Sequence, residues 1–159
     1  MTAPLAPAWQ TTHWFNSAAP LGLADLKGKV ILLHAFQMLC PACVQQAVPQ
    51  AQRIFQQVNP ADVAVIGLHT VFENHAVMTV EALAVFIREN RLTFPIGVDT
   101  PDGQDGTPLT MRAYQMQGTP SLLLFDRNGR LRLHHFGHVD DLALGIVLGQ
   151  LMQEPDTRT

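Results

Sequence analysis

The sequence predicts an α/β protein, a three-layer α/β/α sandwich built around a mixed central sheet. Over the first two thirds of the chain, short apolar runs of strand length alternate with patterns of helical period. That alternation is typical of parallel strands joined by helices. Further on, the pair Asn128-Gly129 separates two strand-like runs and predicts an antiparallel hairpin. A sheet that holds both kinds of pairing is mixed.

The predicted elements follow one another in the order β-α-β-α-β-α-β-β-α. Three strands precede the hairpin, at about 29–36, at about 62–69 and in "TFPIGVD". The hairpin strands cover about 121–126 and 130–136. Helices are expected in "CPACVQQAVPQAQRIFQQV", where Pro49 should kink the helix, in "TVEALAVFIREN", in "LTMRAYQMQ" and in "DDLALGIVLGQLMQ". The stretch "TPDGQDGTP" is predicted to be a polar loop.

The length of 159 residues predicts one folded domain. We expect this domain to cover 13–152, with loose ends at 1–12 and 153–159 and an N-terminal strand or hairpin in "HWFNS" and "LGLADL". Hydrophobic residues make up 47% and charged residues 14% of the chain, which argues against disorder. A net charge of −3 without a basic stripe argues against nucleic acid as a partner.

An exported or membrane-bound protein is expected to show either a secretion signal or a membrane-spanning run, and this sequence shows neither pattern. No segment has the pattern of a secretory signal peptide, and no run approaches the roughly 18 apolar residues of a membrane span. We therefore expect a cytoplasmic protein without a membrane partner. The sequence leaves the oligomeric state open.

Cys40 and Cys43 are the only cysteines in the sequence, and they lie three residues apart where a predicted strand meets a helix. A helix N-terminus offers free N–H groups and a partial positive charge, and both favour a thiolate. At this spacing two helical α-carbons lie roughly 5 Å apart, close enough for a disulfide. The pattern favours a redox pair in which Cys40 attacks and Cys43 resolves. A zinc half-site and two inert core cysteines are the alternatives.

Three segments resemble the thioredoxin superfamily, in particular its TlpA-like and redoxin branch, which is related to the AhpC/TSA proteins. They are "DLKGKVILLHAF", "CPAC" and "GTPSLLLFDRNGRL". The resemblance as a whole covers roughly residues 14–151. The resemblance implies a thioredoxin-like fold with an inserted segment around 70–98. It also implies a cis peptide bond between Thr119 and Pro120, in a loop that faces the cysteines and positions the substrate backbone.

Several residues near the cysteines depart from that family pattern. Thioredoxin-type relatives have a buried acid where this chain has His34. A neutral histidine could act as a proton shuttle for Cys43, and a packed core histidine is the alternative. Leu39 stands where many relatives have tryptophan. Pro41 and Ala42, between the cysteines, are also expected to shape the site.

The same comparison bears on peroxidase chemistry and on the rim of the site. Peroxiredoxins need Pro and Thr seven and three residues before the reactive cysteine, where this chain has Leu33 and Gln37. The hydroxyl that would orient peroxide is therefore missing.

His69 ends a predicted strand at the expected active-site edge, and Glu73 follows in the next loop. With Gln37 they are candidates for shaping the substrate groove, and a solvated loop is the alternative.

Together these features predict a thiol-disulfide oxidoreductase that acts on disulfides of proteins or small molecules. The cysteine pair would carry the electrons, so neither an organic cofactor nor a metal is expected. The partner would be a protein with a disulfide or dithiol, or a small thiol. A peroxiredoxin-like thiol peroxidase and a non-catalytic thioredoxin-like binding module are the alternative functions. The direction of electron flow stays open.

Overall fold

A computed structural model describes residues 5–103 and 106–157, which fold around one six-stranded sheet. Residues 104 and 105 of the predicted polar loop lie outside this description. The strands are β1 (Thr11–Phe15), β2 (Val30–Phe36), β3 (Val63–His69), β4 (Ile96–Asp99), β5 (Ser121–Phe125) and β6 (Leu131–Phe136). The helices are α1 (Val48–Gln57), α2 (Val80–Glu89), α3 (Leu109–Ala113) and α4 (Asp141–Gln153), with a 3-10 helix at Leu23–Leu26 and a π-helix at Cys43–Ala47.

The sheet is mixed, which confirms the predicted fold class. Its spatial order is β1-β4-β3-β2-β5-β6. β3 pairs in parallel with β2 and with β4, and the remaining pairs are antiparallel. β2 lies near the middle of the sheet, and all seven of its residues are buried. Because the chain passes from the end of this strand into the CxxC motif, a fully buried strand of the sheet positions the cysteines.

The two faces of β2 belong to two different cores. Even-numbered side chains such as Leu32 and Phe36 pack in one core with residues of α1, α2 and α4. Odd-numbered side chains such as Leu33 pack in a second core with Met111 of α3 and with Trp9. The sheet is covered on both faces, as a strand that is apolar on both sides requires.

The helix after the cysteines begins with an unusual turn. Pro49 has no N–H and cannot donate to a carbonyl of the preceding turn. The chain is π-helical over Cys43–Ala47, and the Val48 N–H bonds to the Cys43 carbonyl five residues back. The irregularity that Pro49 predicts is therefore a wide turn directly after the CxxC motif, a feature that often marks functional sites.

The predicted N-terminal extension is half right. β1 is an edge strand, antiparallel to β4, whereas "LGLADL" forms the 3-10 helix and not a strand. Within the expected loose end at 1–12, the structure attaches residues 7–12 to the domain, and the Pro7 carbonyl accepts the Tyr114 hydroxyl. Trp9 is buried, and the Gln10 N–H donates to the Thr110 hydroxyl at 2.9 Å. The indole packs into a core that lies far away in the sequence, which local periodicity does not reveal.

The end of the chain is also attached to the domain. Gln153 is the last residue of α4, and Glu154 forms an ion pair with Arg132 of β6. The Thr157 N–H also bonds to Asn128 Oδ1 at 3.2 Å, so the expected loose tail at 153–159 is attached to the domain as far as residue 157. The segment 70–98, expected as an insertion, contains α2 and most of β4. No helix in the described part of the chain has the length and apolarity to cross a membrane.

Candidate active site

The Cys40 sulfur lies at the start of the helical segment, as the sequence predicts. Its side chain is half-buried, and its Sγ accepts a hydrogen bond from the Cys43 N–H at 3.3 Å. The Val44 N–H donates to the Cys40 carbonyl at 3.0 Å. Cys40 is therefore the N-cap of the helix, and its sulfur takes the place of the side-chain oxygen that usually satisfies an N-terminal donor. Both cysteines are free thiols.

Cys43 has a different environment. Its side chain has 0% exposure, and it belongs to the core beneath α1. Burial, with the neighbouring Cys40 side chain, raises the pKa of the Cys43 thiol to about 12. Hydrogen bonds from the Gln37 backbone and the Thr119 side chain act in the opposite direction on this pKa. Of the two sulfurs, that of Cys40 is thus the more accessible, and Cys43 is shielded and protonated at neutral pH.

The loop before β5 lies directly over the cysteines. The peptide bond between Thr119 and Pro120 is cis, and the Thr119 carbonyl oxygen lies 3.6 Å from the Cys40 sulfur. Pro120 is buried, and its carbonyl accepts the Gly137 N–H at 2.8 Å. The loop is thus attached to the end of β6, while the Thr119 backbone lies beside the Cys40 sulfur.

The Gln37 carboxamide joins three segments of the site. Its Oε1 accepts the Phe72 N–H at 3.2 Å, and its Nε2 lies 3.3 Å from Thr119 Oγ1 and 3.4 Å from Glu73 Oε1. The Gln37 backbone carbonyl accepts the Cys40 N–H at 3.1 Å. The side chain is only 1% exposed, so these bonds are not exchanged for water. The sequence predicts Gln37 as a residue that shapes the site, at the position of a missing threonine, but does not predict these three contacts.

His69 supports the segment before Cys40. It is 1% exposed at the end of β3, and its Nε2 accepts the Met38 N–H at 3.2 Å. The ring also lies against Phe36, with centroids 5.2 Å apart. Burial lowers the pKa of His69 to about 4, which keeps the imidazole neutral and able to accept this bond. His69 therefore positions the backbone that leads into the cysteines and does not contact the sulfurs.

His34 lies on the α1 side of β2, the side that also holds Cys43. Neither ring nitrogen has a hydrogen-bond partner among the described residues, and Gln50 Oε1 is likewise buried without one. Burial lowers the pKa of His34 to about 4, against the effect of the nearby Gln50 side chain. The Gln50 amide nitrogen bonds to the Val139 carbonyl and to Asp141. The structure thus shows His34 beside Gln50, a neighbour that the sequence gave no reason to expect.

The remaining candidates form the rim of the site. Leu39 is 56% exposed next to Cys40, Pro41 is exposed at the first position of the helical segment, and Ala42 is half-buried. Glu73 is exposed in the loop after β3, and its Oε1 lies 3.4 Å from Gln37 Nε2. The rim has one member that the sequence analysis missed: Phe136 of β6 is 51% exposed and packs so closely on Gly118 that a β-carbon there would lie 3.0 Å from its ring.

The zinc half-site is an alternative that needs further ligands close to the two cysteines. Within residues 5–103 and 106–157, the side chains of histidine, cysteine, aspartate and glutamate form no group of three or more that could hold a metal. The scattered histidines of the sequence are thus not gathered around Cys40 and Cys43 over this part of the chain.

A surface cysteine that caps a helix, a shielded partner three residues on and a cis-proline loop against them are characteristic of thioredoxin-like thiol-disulfide oxidoreductases. Comparison with known proteins leads to the same class. The model of the AhpC/TSA family matches residues 5–134, and the chain belongs to that family.

Two named relatives match most of this chain but are themselves longer than the matched region. The thiol:disulfide interchange protein DsbE of Pseudomonas aeruginosa is 26% identical over 156 residues, which cover 96% of this chain and 78% of DsbE. The protein DipZ of Mycobacterium bovis is 28% identical over 145 residues, which cover 90% of this chain. The chain spans only 20% of the length of DipZ.

Solved structures share the fold closely. A thiol-disulfide isomerase from Corynebacterium glutamicum is 49% identical with a TM-score of 0.92, over 96% of this chain and 98% of that one. A second thioredoxin-like superfamily protein is 53% identical with a TM-score of 0.93 and the same coverage. These values confirm the thioredoxin-like fold predicted from the motifs.

Proposed function

We propose that this protein catalyses thiol-disulfide exchange through Cys40 and Cys43. The observation that carries the proposal is the asymmetry of the pair: the half-exposed Cys40 sulfur caps a helix, while the Cys43 thiol is buried three residues on. Exchange needs one accessible nucleophile and one protected thiol that acts only after the first has reacted. The membership of the AhpC/TSA family supports this class of chemistry.

In the reducing direction, the Cys40 thiolate attacks one sulfur of a substrate disulfide. A bond forms between Cys40 and that sulfur, and the other substrate sulfur leaves with the electron pair and takes up a proton. Cys43 then loses its proton and attacks the Cys40 sulfur, which releases the second substrate thiolate. The substrate gains two electrons and two protons, and the protein is left with a disulfide. No cofactor takes part in this sequence, since the pair itself carries the electrons.

The surroundings of Cys40 support a polypeptide as the substrate. The Thr119 backbone lies beside the reactive sulfur and could pair with an extended chain, which is how peptides commonly bind to exposed strand-like segments. Two apolar side chains are more than half exposed: Leu39, which precedes Cys40, and Phe136, which packs on Gly118 in the cis-proline loop. A polypeptide with apolar residues next to its disulfide would cover these side chains.

The direct test is a disulfide-reduction assay with an external thiol as the electron source, applied to the wild type and Cys40→Ser. We expect the variant to lose activity by at least about a thousandfold, or about 4 kcal/mol, because a neutral hydroxyl is a far weaker nucleophile than a thiolate. Gln45→Ser, on the exposed side of the π-helix, is the control, because it introduces the same hydroxyl outside the CxxC motif and keeps both thiols. Equal rates for wild type and Cys40→Ser would contradict the proposal.

A peroxidase is the competing function, and the same preparations can test it. Gln37 has no hydroxyl to offer a peroxide, and its carboxamide already bonds to Phe72, Thr119 and Glu73. We therefore expect consumption of hydrogen peroxide to be slow relative to disulfide reduction. Peroxide turnover faster than disulfide reduction would assign the site to the peroxidases.

A further inference from the structure

The loop after β3 places a carboxylate at the rim of the candidate site. Gln37 Nε2 lies 3.4 Å from Glu73 Oε1 and 3.3 Å from Thr119 Oγ1. Because both oxygens contact the same amide nitrogen, they are separated by no more than the sum of these distances, which is about two residues of an extended chain. The Thr119 carbonyl oxygen in turn lies 3.6 Å from the Cys40 sulfur. A carboxylate therefore lies close to the backbone beside the reactive cysteine.

The Gln37 carboxamide gives this carboxylate a defined position. The Phe72 N–H can only donate, so Gln37 Oε1 faces it, at 3.2 Å, and the amide nitrogen is left to face Glu73. Gln37 is 1% exposed, and its backbone carbonyl accepts the Cys40 N–H at 3.1 Å. The donor that Glu73 contacts is thus part of the buried frame of the site, which restricts the carboxylate more than water alone restricts a surface glutamate.

Glu73 has no lysine or arginine partner within the described part of the chain. Its side chain is exposed, and none of the ion pairs between described residues includes it. One carboxylate oxygen contacts Gln37, and the other has no hydrogen bond to these residues. A carboxylate with an oxygen open to solvent is a suitable partner for the ammonium of a lysine or the guanidinium of an arginine.

We propose that Glu73 is a specificity-determining residue, which selects polypeptides with a lysine or arginine within about two residues of the disulfide cysteine. Gln37 is a positioning residue, because it holds the Glu73 carboxylate beside Thr119. This inference rests on the proposed function, since it names the substrates of the same site. The substrate backbone pairs with Thr119 while its cationic side chain reaches Glu73. The sulfurs exchange as described above, and Glu73 takes no part in the transfer of electrons or protons.

Three peptide disulfides measure this selectivity. Each is the disulfide-linked dimer of a short peptide with a single cysteine, and the residues two positions before and after the cysteine are both lysine, both glutamine or both glutamate. The value of kcat/KM for each peptide is divided by its rate constant with dithiothreitol. This division removes the effect of the flanking charges on the reactivity of the disulfide itself.

The expected size of the preference follows from the exposure of Glu73. Ion pairs at a protein surface are weak, so we expect the lysine peptide to exceed the glutamine peptide by about threefold at low ionic strength. The glutamate peptide should be lower than the glutamine peptide by a similar factor, because like charges repel. At about 0.5 M salt the differences should largely disappear, because salt screens exposed charges.

Substitutions of Glu73 test the charge and its position separately. Glu73→Gln should abolish the preference for the lysine peptide, and Glu73→Lys should invert it. Glu73→Asp keeps the charge but is too short for the contact with Gln37, so it should weaken the preference, as should Gln37→Met. Glu89→Gln, which removes an exposed carboxylate at the C-terminal end of α2, is the matched control. A preference that survives in Glu73→Gln, or that falls equally in Glu89→Gln, would overturn the proposal.

Three further outcomes have defined meanings. If Gln37→Met does not fold, Glu73→Asp decides, because a full preference in that exposed variant would overturn the positioning role of Gln37. If the wild type reduces all three peptides at equal normalised rates, the inference is overturned and the proposed function stands. If the wild type reduces none of them, the proposed function fails and this inference fails with it.

Discussion

Cys43→Ser is expected to accumulate a stable mixed disulfide between Cys40 and its substrate. Cys40 keeps its access to solvent and its place at the helix start, so the first exchange still occurs. The second exchange then needs a thiol from solution. In intramolecular reactions of well-placed groups, the effective concentration of the partner can reach about 10⁵ M. We therefore expect the mixed disulfide to survive at least about 100 times longer in Cys43→Ser than in the wild type.

The trapped species can be measured directly. A cysteine-containing peptide disulfide is mixed with Cys43→Ser and with Cys40→Ser, and the adduct mass and its site are determined before and after reduction. The account predicts an adduct on Cys40 in the first variant and little or none on the buried Cys43 in the second. An adduct that forms more readily on Cys43 would show that the roles of the two cysteines are reversed.

Acid is expected to destabilise the protein well before its carboxylates are protonated, because two buried histidines must remain neutral. Burial lowers the pKa of His34 and of His69 to about 4, from 6.5 in the unfolded chain. Below pH 6.5 the unfolded state therefore binds more protons than the folded state, and stability falls as the pH falls. Each histidine should lower the free energy of unfolding by about 1.4 kcal/mol at pH 5.5. The loss reaches its full size below the pKa that the histidine has in the folded state.

Urea unfolding at about pH 7.5 and pH 5.5 measures this effect. The wild type should lose roughly 3 kcal/mol over this range from the two histidines, and His34→Leu should lose about half as much. His135→Leu, which removes an exposed histidine of β6, is the matched control. If His34→Leu lost as much free energy of unfolding between about pH 7.5 and pH 5.5 as the wild type, His34 would not be held neutral by burial.

Much of the fold could be predicted from the sequence, because its strongest signals are local. Short apolar runs predict the buried strands, and Asn128-Gly129 predicts the turn of the hairpin. Pro49 predicts an irregular helix. The packing of Trp9 could not be predicted, because its partners in the second core lie far from it in the chain. The 3-10 helix at "LGLADL" was equally hidden, since it depends on Asp25 accepting the Gly22 N–H at 2.8 Å.

The candidate site shows the same division. The spacing of Cys40 and Cys43 and the distant Thr119-Pro120 pair follow from motifs, and the structure brings them within hydrogen-bond distances. The contacts of Gln37 could not be read from the sequence, because they join three loops separated by dozens of residues. A glutamine directly after a strand of seven buried residues was the available signal, since a buried amide must find partners.

The central claim is that Cys40 and Cys43 form one reversible two-electron couple. Equilibration of the protein over a series of reduced-to-oxidised dithiothreitol ratios, followed by alkylation and mass measurement, counts the free thiols at each potential. The account predicts that both thiols disappear together in a single transition within monomeric protein. The ratio of oxidised to reduced protein should change tenfold for each change of about 30 mV in the potential. Thiols that stay free across the whole series, or that are lost one at a time, would contradict it.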